Sequence, residues 1–249
     1  MPDDSPAWTD RDLADNPHQA ADKAQRVEAM FRAIAPSYDL NNRLHSLGRD
    51  QAWRRAAVKL AQPGVGEVVL DVACGTGDLA MAFACTGASR VVGVDFTEAM
   101  LRLAGGKKGG RPITYHAGDA MRLPLADASV DIVSIAFGIR NVVDPDAALA
   151  EFYRVLRPGG RLVVLEFSLP TNRLLRWAND WYCGHLMPIT ATLIARDRSG
   201  AYRYLPKSVS RFIDRQAMQT SLTQAGFGQV MHRVLTFGVA VCYRGIKPA

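Results

Sequence analysis

The sequence predicts a doubly wound α/β domain with a mostly parallel sheet, and three observations carry that prediction. The apolar run Val68-Val69-Leu70-Asp71-Val72 empties into Ala73-Cys74-Gly75-Thr76-Gly77-Asp78, a strand ending on a glycine turn. A second run, Val91-Val92-Gly93-Val94, ends on Asp95, about 20 residues on, which is the spacing at which an acid reaches the ribose of an adenosine-type cofactor. Strand-like and helix-like stretches then alternate, as a parallel sheet covered on both faces requires.

In chain order, residues 1–18 combine Pro2, Pro6 and Pro17 with an excess of Asp and read as a disordered acidic tail. From Gln19 onward, Val27, Met30, Phe31, Ile34 and Tyr38 fall at helical spacing, Ala35-Pro36 marks a break, and 41–60 supplies further helix with Trp53 as a core anchor. Strands are predicted at 67–72, 90–95, 112–116, 130–136 and 161–167, with helices at 77–86, 97–104 and 145–156. The glycine- and lysine-rich stretch 105–110 is a surface turn. A lid-like insertion occupies 169–207, a helix follows at 211–225, and strands at 228–236 and 238–244 close the chain as a hairpin, hence an antiparallel edge. The sheet therefore has seven strands, and residues 19–249 form a single domain.

Composition narrows the function. The net charge is +6, yet residues 1–22 hold six Asp against one Arg, so the remainder carries +11 and favours anionic surfaces. Cys74, Cys85, Cys183 and Cys242 show no C-x-x-C spacing and read as reduced thiols of a cytoplasmic protein, with no metal site. The start of the chain lacks a signal-peptide core, and the most apolar stretch, 174–195, is broken by Arg176, Asp180 and Pro188 and is not a transmembrane helix.

The glycine turn itself admits two cofactors. Gly75-Thr76-Gly77-Asp78-Leu79-Ala80 fits a dinucleotide pattern, so a nicotinamide-dependent oxidoreductase is one reading. Asp71 and Asp78 flanking the turn would repel a pyrophosphate and suit a ligand with an ammonium and a sulfonium, as in S-adenosylmethionine. The plainer reading makes Asp78 a helix cap and Asp71 a strand end.

Three further segments resemble one family. Tyr38-Asp39-Leu40-Asn41-Asn42-Arg43-Leu44-His45-Ser46-Leu47-Gly48, running on to Trp53, resembles its N-terminal signature. Phe137-Gly138-Ile139-Arg140-Asn141-Val142 resembles its motif after the fourth strand, and Arg154-Val155-Leu156-Arg157-Pro158-Gly159-Gly160 through Glu166-Phe167-Ser168 its second signature. Together they make residues 25–247 similar to the class I, Rossmann-like S-adenosylmethionine-dependent methyltransferases, and within them to the quinone-ring C-methyltransferases of menaquinone and ubiquinone biosynthesis. Asn41 replaces a common Met, Ala136 a frequent Ser, and Asp50 a common His; Asp50 looks more like the menaquinone-pathway members.

The resemblance implies cofactor contacts at Thr76, Asp95, Asp119 and Ala120, beside Asp71, Gly75 and Gly77 of the turn. It implies methylation of demethylmenaquinol, with a polyprenyl benzoquinol as the alternative. A phenolate makes the ortho ring carbon nucleophilic, so the site needs a base or a cation that stabilises the phenolate. Arg140 is the first candidate for that cation, or else it pairs a carboxylate to hold its loop. Asn141 would orient a quinol oxygen, Tyr38 would line the mouth or relay a proton, and His185 is the next candidate base. The aromatic residues of the insertion (Trp177, Trp181, Tyr182) and its basic ones (Arg173, Arg176, Arg196, Arg198, Arg203, Lys207) suit an interfacial lid on the inner face of a membrane, or alternatively a dimer helix. A nucleic-acid methyltransferase is disfavoured, because the Asn/Asp-Pro-Pro-aromatic turn of amino methylation and a Pro-Cys nucleophile are both missing.

Overall fold

A computed structural model describes residues 6–195 and 199–249. Helices α1 (Lys23–Ile34), α2 (Tyr38–His45) and α3 (Arg49–Ala61) precede strand β1 (Val68–Val72). Alternation follows: α4 (Asp78–Ala84), β2 (Arg90–Asp95), α5 (Glu98–Lys107), β3 (Ile113–Ala117), β4 (Val130–Ala136), α6 (Pro145–Val155) and β5 (Leu156–Phe167). The insertion folds as α7 (Arg173–Trp181), a π-helical turn at Tyr182–Leu186, α8 (Met187–Ala195) and α9 (Ala201–Arg211). The chain closes with α10 (Arg215–Gln224), β6 (Gly228–Leu235) and β7 (Ala240–Ile246).

The seven strands run in the order β3-β2-β1-β4-β5-β7-β6, parallel except where β7 pairs antiparallel with β5 and β6. Val72 is in register with Val94 on β2 and Ile135 on β4, so the carboxyl ends of β1, β2 and β4 open side by side. The strand order reverses between β1 and β4, the place where such sheets bind ligands. Near-continuous Val, Ile and Leu make these strands central ones, buried on both faces. Helix α6 begins at a well-formed cap: the Asp144 carboxylate accepts from the Asp146 and Ala147 amides, and Pro145 takes the first helical position. Strand β5 begins at 156 instead of 161, because Gly159 and Gly160 exchange backbone hydrogen bonds with Lys247 and extend the pairing across a bulge.

The disordered tail expected over 1–18 is corrected for residues 6–18. Trp8 is 0% exposed and stacks on Tyr204 with ring centroids 4.7 Å apart, while its amide donates to the Ser199 carbonyl. Leu13 joins Trp8, Met30, Ile34, Ala191 and Tyr204 in a separate small core between the N-terminal helices and the insertion. The acids that suggested disorder find partners: Asp10 pairs with Arg203 at 2.7 Å and Asp12 with Arg26 at 3.0 Å. Two apolar anchors suffice because the insertion supplies the surface they bury against. Residues 1–5, and the insertion's Arg196 and Arg198, lie outside the described residues.

Candidate functional site

The glycine turn is shaped for close approach. Ala73, Gly75 and Gly77 all have positive φ (49°, 53° and 83°), and a Cβ on Gly75 would meet only the Tyr38 ring, 4.0 Å away. Gly77 serves packing instead, since a Cβ there would lie 2.3 Å from the Tyr115 hydroxyl. It does not line the pocket.

The pocket at the strand ends is lined by Ala73 and Gly75 from the turn, Asp95 after β2, Asp119 and Ala120 after β3, and Ala136 to Gly138 and Asn141 after β4. Asp95 is fixed by two backbone donors, the Gly75 amide at 2.7 Å on Oδ2 and the Thr97 amide at 2.8 Å on Oδ1. Burial lifts its pKa, and those donors oppose the lift. The Asp119 carboxylate accepts from the Met121 amide at 2.9 Å. Beneath the turn, Asp71 is 1% exposed; its Oδ1 accepts from the Ser134 hydroxyl and its Oδ2 has no partner among the described residues. Burial pushes its pKa up to about 7. Asp71 does not itself line the pocket; a buried carboxylate behind the turn favours, by its charge, a cofactor that brings an ammonium. The same geometry disfavours a pyrophosphate, because Asp95 already occupies the Gly75 N–H that would hold it.

Two further residues at the turn have side-chain partners away from the pocket. Thr76 is buried and its hydroxyl donates to Asp39 on α2, so it ties α2 to the turn and does not face the pocket. Asp78 is bound by Lys107 at 2.6 Å and Gln51 at 3.0 Å. Burial, which would raise its pKa, is outweighed by Lys107, and its charge is spent there instead of repelling an anion at the turn.

Beside this pocket lies a cavity of about 880 Å³ between α1–α3, the loop after β4 and the insertion. Tyr38, Phe31 and Phe137 line both spaces. Tyr38, Asn42 and His45 fall at i, i+4 and i+7 on α2 and present one stripe to the cavity. Burial lifts the Tyr38 pKa, opposed by the charge of Arg54 and a hydrogen bond with Asn42. Arg140 lines the cavity at 5% exposure, but its Nη1 donates to Glu166 and to the Phe137 carbonyl, both at 2.7 Å, and its Nε to Ser208 at 3.3 Å. This is the loop-holding arrangement. Asn141 accepts from the Tyr204 hydroxyl at 2.9 Å. His185 is exposed at the cavity wall, its Nδ1 3.2 Å from the Trp181 carbonyl.

Sequence reasoning passed over three wall residues. Asp50 and Arg54 form a buried pair one turn apart on α3, at 3.0 Å. His45 places Nδ1 3.0 Å from the Tyr182 hydroxyl, and burial lowers its pKa, so it is neutral at pH 7. The available signal was the i, i+4 spacing inside the N-terminal signature. Among the described residues no group of three or more His, Cys, Asp or Glu is placed to hold a metal.

Comparison with known proteins agrees with this geometry. Residues 19–247 match the model of the ubiE/COQ5 methyltransferase family. The chain is 44% identical to a demethylmenaquinone methyltransferase of Deinococcus radiodurans, over 91% of this chain and 94% of that one. It is 42% identical to the ubiquinone/menaquinone biosynthesis C-methyltransferase UbiE of Geobacter sulfurreducens, over 92% and 91%. Among solved structures, the [4+2]-cyclase SpnF has a TM-score of 0.67 at 17% identity, covering 91% of this chain and 96% of that one. A phosphoethanolamine N-methyltransferase of Haemonchus contortus, solved with S-adenosyl-L-methionine, has 0.60 at 16% identity, covering 79% and 52%. The chain belongs to the ubiE/COQ5 methyltransferase family and is an S-adenosylmethionine-dependent methyltransferase.

Proposed function

We propose that this chain methylates a ring carbon of a polyprenylated quinol, with demethylmenaquinol as the substrate. The observation that carries the reading is the shared wall: the cofactor pocket and a large, mainly apolar cavity meet at Tyr38 and Phe137. S-adenosylmethionine, when bound, supplies an electrophilic methyl group on a sulfonium. Asp95 would hold its ribose and Asp119 its adenine amino group, with Asp71 behind the turn favouring its ammonium by charge.

The remaining work belongs to the protein. A cavity of this size holds a bicyclic ring and the first part of a prenyl tail. Tyr38 and Phe137 orient the ring against the cofactor pocket and exclude water from it. Arg140, anchored on Glu166, fixes the loop that carries Asn141, which lines the strand-end pocket beside Tyr38 and Phe137 and orients a quinol oxygen presented at that junction. Neutral His45 is a better placed proton acceptor than exposed His185.

The tail leaves past an apolar surface. Leu174, Trp177, Ile189 and Leu193 of the insertion are more than half exposed, as are Leu40 and Leu47 on or beside α2. Arg173, Arg176 and Arg43 are basic neighbours in sequence. This face suits reversible contact with an anionic bilayer, and no helix among the described residues is long and apolar enough to cross one. The test of the reading is methyl-labelled cofactor with short-tailed demethylmenaquinol and the purified chain. Label on the ring carbon is expected, and cofactor binding without transfer to any quinol would overturn the proposal. Because some relatives are named for ubiquinone as well, a benzoquinol substrate forms the second arm of the assay.

A further inference from the structure

Two guanidinium groups line the cavity near its junction with the cofactor pocket, and they are held very differently. Arg140 commits its Nε and both hydrogens of Nη1 to Ser208, Glu166 and the Phe137 carbonyl. Arg54 is as deeply buried, at 7% exposure, yet donates once, from Nη1 to the Asp50 carboxylate at 3.0 Å. No described residue accepts from its Nε or Nη2. Its guanidinium carbon lies 5.7 Å from the centre of the Phe137 ring, the wall common to both spaces. Burial raises the Tyr38 pKa, and the charge of Arg54 opposes that rise more strongly than the charge of Arg140.

Asp50 explains how Arg54 is kept in place. Its Oδ1 accepts from the Ser46 hydroxyl at 3.0 Å, and its Oδ2 from Gln51 at 2.9 Å and from Arg54. With three donors on it, the carboxylate is held firmly and serves as an anchor. A buried guanidinium with unspent donors facing a ligand cavity is matched by an oxygen acceptor, and best by one that becomes negative.

We propose that Arg54, held by Asp50, donates to the quinol oxygen beside the methyl-accepting carbon and is the cation that stabilises the phenolate. The inference rests on the quinol reading above and names the residue that makes it work. In the reaction, the hydroxyl gives its proton to His45, which passes it on to solvent, and the ring carbon bonds to the methyl. The carbon–sulfur bond breaks with its electron pair going to sulfur. That ring carbon then loses its hydrogen as a proton and the oxygen is reprotonated, so one proton is released per turnover. The oxygen carries more negative charge in the phenolate, and still in the transition state for methyl transfer, than in the neutral quinol that binds, so a donor placed there lowers the barrier from the bound quinol more than it tightens substrate binding.

The test compares wild type, Arg54→Gln and Arg54→Lys in the labelled-methyl assay with demethylmenaquinol, together with calorimetric binding of S-adenosylmethionine. Arg54→Gln should lower kcat by about 10²–10³-fold, as loss of an oxyanion donor does, with cofactor affinity within about threefold of wild type. The rising limb of its kcat–pH profile should move to higher pH by about one unit or more, because the phenolate has lost its cation. Arg54→Lys, which keeps the charge without the fork, should restore part of the rate and most of the limb. A folded Arg54→Gln protein with an unmoved limb and near-normal kcat would overturn the proposal, as would a rate loss matched by equal loss of cofactor affinity. Failure of the wild type to methylate any quinol would instead defeat the quinol reading itself.

Discussion

The strand-end pocket proposed for the cofactor and the cavity proposed for the quinol adjoin one another but are built on different principles. The pocket is assembled from the ends of adjacent parallel strands, so sheet register sets the positions of the glycine turn, Asp95 and Phe137. The Asp95 and Asp119 carboxylates are held by backbone amides from their own neighbourhood. The cavity is assembled from appended pieces, with the N-terminal segment, α2–α3 and the insertion held by long-range side-chain pairs. The difference teaches how one sheet serves a common cofactor while its cap adapts to a large apolar substrate: strands give precision, and packed helices give volume.

The largest effect is expected where the two constructions are joined. Glu166 on β5 is 1% exposed and is paired with Arg140, which also reaches Ser208 on α9. Arg140→Ala should cost about 3–5 kcal/mol in urea unfolding, because it strands a buried carboxylate. Replacing both partners, as Arg140→Met with Glu166→Leu, should recover most of that loss. A cost under about 1 kcal/mol for the single variant would show that the joint is not structural.

Asp71 sharpens the comparison from the pocket side. Its carboxyl pKa is raised to about 7 in the folded chain, from an ordinary value near 4. The folded state therefore holds a proton between about pH 4 and 7 that the unfolded state releases, and this contribution to stability declines as pH rises through that window. A bound ammonium reverses the preference and favours the carboxylate. Cofactor affinity should rise toward pH 8 by up to about tenfold per unit below pH 7, and Asp71→Asn should flatten that dependence. Calorimetry between pH 6 and 8 reads it directly, and identical slopes for the two proteins would remove Asp71 from cofactor binding.

The smallest effect concerns the outer face of the cap. Flotation with anionic vesicles should retain the protein at low salt and release it as salt rises, with basic residues near the surface worth about 1 kcal/mol each. Leu193→Asp should weaken retention at every salt concentration. Absence from vesicles regardless of salt would assign the apolar face another occupant, such as a second copy of the chain.

These contrasts also explain what was legible in the sequence. The strands and the glycine turn stood out because central parallel strands are unbroken apolar runs and because positive φ at the turn favours glycine. Asp95 and Asp119 could be placed because each follows its strand directly. The side-chain partners of Thr76 and Asp78 were illegible because Asp39 on α2 and Lys107 on α5 lie far away in the chain. Trp8 and Leu13 were illegible as anchors, since two apolar residues among aspartates and prolines carry no periodicity. Their burial depends on Tyr204, nearly two hundred positions later. Arg54 was hidden for a similar reason, because helical spacing announces a pair on α3 but not the cavity it faces.

The division between sheet and cap is tested most directly by detaching the N-terminal segment from the insertion. Trp8→Ala removes the ring that stacks on Tyr204, a wall residue of the large cavity. Cofactor affinity by calorimetry and kcat/KM for demethylmenaquinol should be measured on the same protein. The account predicts cofactor affinity within about threefold of wild type and quinol kcat/KM lowered by about tenfold or more, a loss of at least ~1.4 kcal/mol of transition-state stabilisation. Equal losses in both quantities, or no loss in either, would contradict it.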